Sequence, residues 1–211
     1  MTDVKDAVFA PVSANPYTFP FDGNWSASDT AILLLGFQRG VIDALDARSE
    51  LQVAIDLLEK AAALGVTIVA CRRGYGPEET PIAARRRLLG DLVPERGSPE
   101  WELDQRIVLP AGAIIVDPSG DNAFFATGLE ETLRRCGVRN LLIAGLPTEG
   151  LVHASQRAAN DMGFECLAVA DACKGTSESS HSAQLRITTF GNGLFGTVAH
   201  AAEIHSAFSK L

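Results

Sequence analysis

Apolar residues along this 211-residue chain fall into short unbroken runs, separated by stretches with helical spacing. Ala31-Ile-Leu-Leu-Leu35 is continuous, the pattern of a strand buried on both faces. Runs at residues 66–70, 113–116, 141–144 and 166–170 predict four more strands, and a short one is expected around 196–200. Between them, Leu51, Ala54, Ile55, Leu58, Ala61 and Ala62 recur at helical spacing behind a Ser49-x-x-Gln52 capping box, with Gly65 as the stop. Thr127-x-x-Glu130 predicts a second box, opening a helix through Leu129, Leu133 and Cys136 that ends at Gly137. Further helices are expected over 81–89, 148–162 and 179–190 and at the C-terminus, with long loops through the rest of Arg72 to Gly112. Pro11, Pro16 and Pro20 lie among turn residues, so 1–29 reads as an irregular arm packing Tyr17, Phe19, Phe21 and Trp25 onto the body. Residues 30–211 read as one α/β domain. Strand–helix alternation implies a doubly wound, mostly parallel sheet with helices on both faces. Ligands bind such sheets beyond the carboxyl ends of the strands, here residues 36–40, 71–76, 117–124 and 145–151.

Charge narrows the function classes. The net charge is −8, which argues against nucleic acid as a partner. The basic run Arg85-Arg86-Arg87 follows Glu78-Glu79 and reads as a solvated face. No apolar run approaches the ~18–20 residues of a membrane helix, and the N-terminus has no secretory signal pattern. Four cysteines without metal or CxxC spacing read as reduced thiols in a cytoplasmic protein, with no metal or cofactor implied.

Chemistry is expected at the strand ends. Gly145-Leu-Pro-Thr-Glu-Gly150 joins a strand to a helix; Thr148 as N-cap would leave the Gly150 and Leu151 amides free for an oxyanion, although ordinary strand–helix turns look the same. Gln38 can orient a ligand amide or bond the loop backbone. Arg39 and Arg72 can clamp an anion or be solvated. Cys71 and Cys173 read as buried spectator thiols, and His153 as structural.

Several segments are similar to one family. Asn15-Pro-Tyr, Phe21-Asp-Gly23, the strand leading to Gln38, Asn122-Ala-Phe-Phe-Ala-Thr-Gly-Leu129, Gly145-Leu-Pro-Thr-Glu-Gly-Leu-Val152, Gly163-Phe-Glu-Cys-Leu167, Asp171-Ala172, His181 and Gly193-Leu-Phe-Gly196 resemble the isochorismatase-like cysteine hydrolases. The biuret and ureido amidohydrolases are the branch they look most like. The resemblance implies a six-stranded sheet, a dimeric or tetrameric homo-oligomer, a small-molecule ligand and a cis peptide at Leu146-Pro147. It also implies a Cys-Asp-Lys triad, in which a thiolate activated by its surroundings attacks a carbonyl. Carried across, the aspartate falls on Gly36, the lysine on Pro118 and the cysteine on Leu151. Where members of the branch carry a metal-binding histidine, this chain has Tyr75. Glu149, Asp121 and Asp117 remain as candidate acids or bases. Gln38, Tyr75, Asn122, Phe124, Thr148, Gly150 and Leu151 are the expected ligand-binding residues, and His181 is expected to be structural. Two functions fit: an enzyme with altered, non-cysteine chemistry on a cyclic or aromatic substrate, in a pocket made roomier near the first strand, or a catalytically silent binder or partner subunit.

Overall fold

A computed structural model describes residues 8–76, 81–90 and 92–209 of the chain. Six strands, β1 (Thr30–Leu35), β2 (Thr67–Cys71), β3 (Ile114–Val116), β4 (Asn140–Gly145), β5 (Glu165–Cys173) and β6 (Thr197–Ala199), form one sheet in the order β3-β2-β1-β4-β5-β6. All five pairings are parallel. Side-chain alternation explains why the central strands read as continuous apolar runs. Ile32, Leu34, Leu142 and Ala144 enter one core, while Ala31, Leu33, Leu35, Leu141 and Ile143 enter the other. The first core is closed by α1 (Arg39–Leu45), α2 (Arg48–Ala63) and α8 (Ala201–Phe208), the second by α4 (Leu129–Arg135) and α5 (His153–Asp161). Three further helices, α3 (Pro81–Leu88), α6 (Glu178–Thr188) and the short α7 (Phe190–Gly193), complete the described α-helices, beside a 3-10 turn at Ala27–Asp29 and a π turn at Thr148–Val152.

The expected helices are present, α1 was not expected, and the starts of α2 and α4 differ from the sequence pattern. Arg48 begins α2 with Ala47 at the cap, and the Ser49 hydroxyl instead donates to Glu50 at 2.9 Å. Gln52 turns to Asp56, so no capping box forms there. Gly128, in the left-handed region, caps α4, while the Thr127 hydroxyl donates back to the Ala123 carbonyl. Glu130 pairs with Arg134 one turn on. In both cases the helix starts away from the expected box, before Ser49 in α2 and after Gly128 in α4, so neither hydroxyl stands at the cap. Gly65 does terminate α2, with φ +80°.

The arm is better anchored than its composition suggests. Phe9, Val12, Phe19 and Trp25 are buried, with Phe9 edge-on to both Trp25 and Phe208. Asn15 bridges antiparallel to Val198 and so covers part of the β6 edge. Phe21, expected to pack inward, is 76% exposed, and Tyr17 is half-buried against it. Among the described residues, no helix is long and apolar enough to cross a membrane.

Candidate functional site

Strand order reverses between β1 and β4, which places the switch point just beyond Leu35 and Gly145. Main-chain bonds fix this corner: the Leu146 amide donates to the Leu35 carbonyl and the Gly36 amide to the Cys71 carbonyl, each at 2.9 Å. Gly36 has φ +71°, and a Cβ placed on it would lie 2.4 Å from the Leu146 carbonyl oxygen and 3.1 Å from Leu151 Cδ2. Leu151 is 0% exposed and packs in the same core as Cys71, Val116, Ala123 and Phe124. Pro118 is buried as well, its carbonyl accepting from the Gly74 amide. The corner is therefore filled with apolar side chains and main chain. The extra room expected beside β1 is absent, because Leu151 and the Leu146 carbonyl occupy it.

The turn after β4 also departs from expectation. Leu146-Pro147 is cis, as the family resemblance implies. Thr148 is not the cap: Thr148–Val152 winds as a π turn with Pro147 before it, and the Thr148 hydroxyl bonds His181 Nδ1 at 2.8 Å. The Gly150 amide is committed to the Pro147 carbonyl at 3.2 Å, and Leu151 is sealed in the core, so the expected pair of free amides does not form.

Outside this plug lies a cleft of about 370 Å³, lined by Arg73, Arg86, Gly90, Leu92, Asp121, Pro147, Glu149, Gly150 and Thr176. Four loops beyond strand ends, after β2, β3, β4 and β5, and the α3 segment bring these residues together. Asp121 pairs with both Arg73 and Arg86, and Arg86 also reaches the Tyr75 hydroxyl at 3.1 Å. Arg73 is only 5% exposed, so burial strengthens its charge pairing relative to a surface bridge. On the facing wall, Glu149 Oε1 accepts from the Thr176 amide at 2.8 Å and from the Thr176 hydroxyl, while its buried Oε2 has no hydrogen-bond partner.

Of the expected site residues, Gly150, Glu149 and Asp121 line this cleft. Asp117 is instead held bidentately by Arg72, at 2.9 Å for both contacts, and Arg72 also stacks 3.9 Å over the Trp101 ring. Arg72 is therefore spent on this pairing and on Glu102. Arg39 is exposed on α1. Gln38 is 0% exposed and its amide bonds only backbone, to the Arg73 and Trp101 carbonyls and from the Arg73 amide. It clamps the loop after β2 rather than facing the cleft. Tyr75 is buried, and its hydroxyl meets Arg86, a cation, so it makes no metal ligand there. Asn122 accepts from the Phe124 amide at 2.9 Å, and Phe124 packs against Phe164 at 6.0 Å between centroids.

Sequence reading missed Arg73, Arg86, Leu92 and Thr176. The basic run divides: Arg85 and Arg87 are exposed, as read, while Arg86 turns inward to Asp121. Among the described residues, no cluster of His, Cys, Asp and Glu is placed to hold a metal. The buried thiols are unreactive by environment. Burial pushes Cys173 up to about 12, and it raises Cys71 and Cys166 above the normal thiol range as well. His153 is held by Gln184 at 2.6 Å, and burial lowers its pKa below the ordinary histidine value.

The chain is similar to maleamate amidohydrolase of Pseudomonas putida, 26% identical over 165 residues that cover 74% of this chain and 76% of that protein. It is also similar to ureidoacrylate amidohydrolase of Azorhizobium caulinodans, 23% identical over 188 residues, covering 80% and 81%. Among solved structures, a cysteine hydrolase from Pseudomonas syringae pv. phaseolicola superposes with a TM-score of 0.77 at 18% identity, over 87% of this chain and 94% of that one. The pyrazinamidase of Pyrococcus horikoshii, solved in complex with zinc, superposes at 0.71 with 25% identity, over 82% and 99%. The Isochorismatase domain matches residues 30–203, and the chain belongs to that family.

Proposed function

We infer that this protein is a family member without thiol chemistry, a catalytically silent binder of a small molecule in the cleft beside Pro147. In this reading Gly36, Pro118 and Leu151 stand at substituted triad positions. The observation that carries it is the closed corner. Leu151 is wholly buried, and the space an aspartate at position 36 would need is taken by the Leu146 carbonyl, 2.4 Å from any Cβ there. Nucleophilic attack requires a nucleophile within reach of the substrate and a base beside it, and this corner offers neither. What remains is a concave site with a few convergent polar groups, the usual form of a ligand pocket.

The test is turnover of maleamate, ureidoacrylate, biuret and nicotinamide, run beside ligand-observed NMR binding on the same compounds. Binding without turnover is the expected result. Hydrolysis at ordinary enzymatic rates would overturn the reading. One observation favours the rival reading of altered chemistry: Glu149 carries a buried carboxylate oxygen without a partner at the cleft wall. If it acts as acid or base, any turnover detected is abolished in Glu149→Gln. Turnover that survives this substitution removes that reading too.

A further inference from the structure

A second cavity, of about 610 Å³, lies at the same end of the sheet beyond β5 and is larger than the cleft. Four parts of the chain wall it: the end of α1, the first turns of α2, the residues from Ala170 into the start of α6, and His200 before α8. A register shift between β4 and β5 accompanies it, since Ile143 pairs with Ala168 but Gly145 pairs with Cys173. The extra β5 residues carry Asp171 to the cavity wall.

Its lining is divided. Leu45, Val53 and Ala170 supply an apolar side. Glu50, Asp171 and Glu178 supply three carboxylates against one cation, Lys174. That lysine is already engaged, with Nζ 2.8 Å from the Asp46 carbonyl and 3.6 Å from Glu50. Asp171 uses Oδ1 to accept the Ala201 amide at 2.8 Å, while Oδ2 lies 3.6 Å from His200 Nδ1 and accepts no hydrogen bond among the described residues. An apolar wall facing an incompletely paired carboxylate selects a molecule with an apolar body and one ammonium group. We propose that this cavity is a second small-molecule site, adjoining the cleft at Thr176, which lines both, and that it takes an organic primary amine with its ammonium on Asp171 and its apolar part between Leu45 and Val53.

The probe is 2-phenylethylamine, titrated into the whole ¹⁵N-labelled protein with 2-phenylethanol and 3-phenylpropionate as neutral and anionic controls. Saturable amide shifts are expected at Leu45, Val53 and residues 171–175, with the amine binding more tightly than either control. Asp171→Asn retains the acceptor for Ala201 and removes the charge, so it should weaken the amine up to about fivefold and leave the alcohol unchanged; this is the scale of one partly exposed ion pair. Val53→Trp fills the apolar side and should abolish binding of all three probes. Should that variant fail to fold, Asp171→Asn decides alone. Absence of saturable binding, equal affinity for amine and alcohol, shifts centred on Gly150 and Glu149, or an unchanged amine affinity in Asp171→Asn would each overturn the proposal.

Discussion

Gly36 and Leu151 lock each other in place. Gly36→Asp meets two obstacles, a left-handed backbone and a carbonyl in the way of Cβ. It should cost about 3 kcal/mol or more, read as a shift of the urea midpoint against wild type. Leu151→Cys removes buried carbons from a packed core and should cost roughly 1–3 kcal/mol. Its thiol, surrounded by apolar groups, should label slowly with iodoacetamide across pH 6–9. Cys136, exposed at the end of α4, should label first. Rapid labelling of position 151 near neutral pH would show an open, activated corner and contradict the packing described. Gln38 is a third such residue: Gln38→Ala leaves the Arg73 amide and two carbonyls of a buried loop unpaired, and should cost about 2–4 kcal/mol.

Helix starts show where local chemistry and sequence pattern part ways. Ser177 caps α6 and accepts the Ser180 amide at 3.1 Å, whereas Ser49 lies inside α2 and caps nothing. Ser177→Ala should therefore cost about 1 kcal/mol, and Ser49→Ala should stay within about 0.5 kcal/mol in the same thermal melts. By spacing Ser49 is the better candidate, with Gln52 three residues on where Ser177 has Ser180, but a spacing rule does not fix where the first turn begins, and Arg48 already starts α2. Strands were legible for the opposite reason. Burial on both faces confines polar residues in β1 and β4 to the first position, Thr30 and Asn140, so the apolar run that follows marks the element. The candidate site was legible only as a place, beyond the strand ends. Its charged residues were not, since Arg86 and Asp121 meet across 35 residues of sequence and nothing local distinguishes Arg86 from Arg85 or Arg87.

The molecule as a whole should lose stability in alkali through its buried thiols. An unfolded cysteine titrates near 8.5, while burial holds Cys173 near 12 and raises Cys71 and Cys166. The folded state thus keeps protons that the unfolded state releases. The contribution is complete below about pH 8.5 and declines as pH rises toward the folded values, by up to about 1.4 kcal/mol per thiol per pH unit. Urea unfolding at pH 7, 8.5 and 9.5 should show the fall, and Cys173→Ala should be less stable at pH 7 but have a shallower slope. The closed corner also bears on reversibility. A lost catalytic side chain can return by one substitution while its space stands empty, but here that space belongs to the Leu146 carbonyl, which no side-chain change at Leu146 removes. In the proposed reading, a lineage that has reached this arrangement has passed a ratchet. Recovering the ancestral chemistry would require the turn after β4 to move before the aspartate returned, and each intermediate would be less stable than the protein as it now stands.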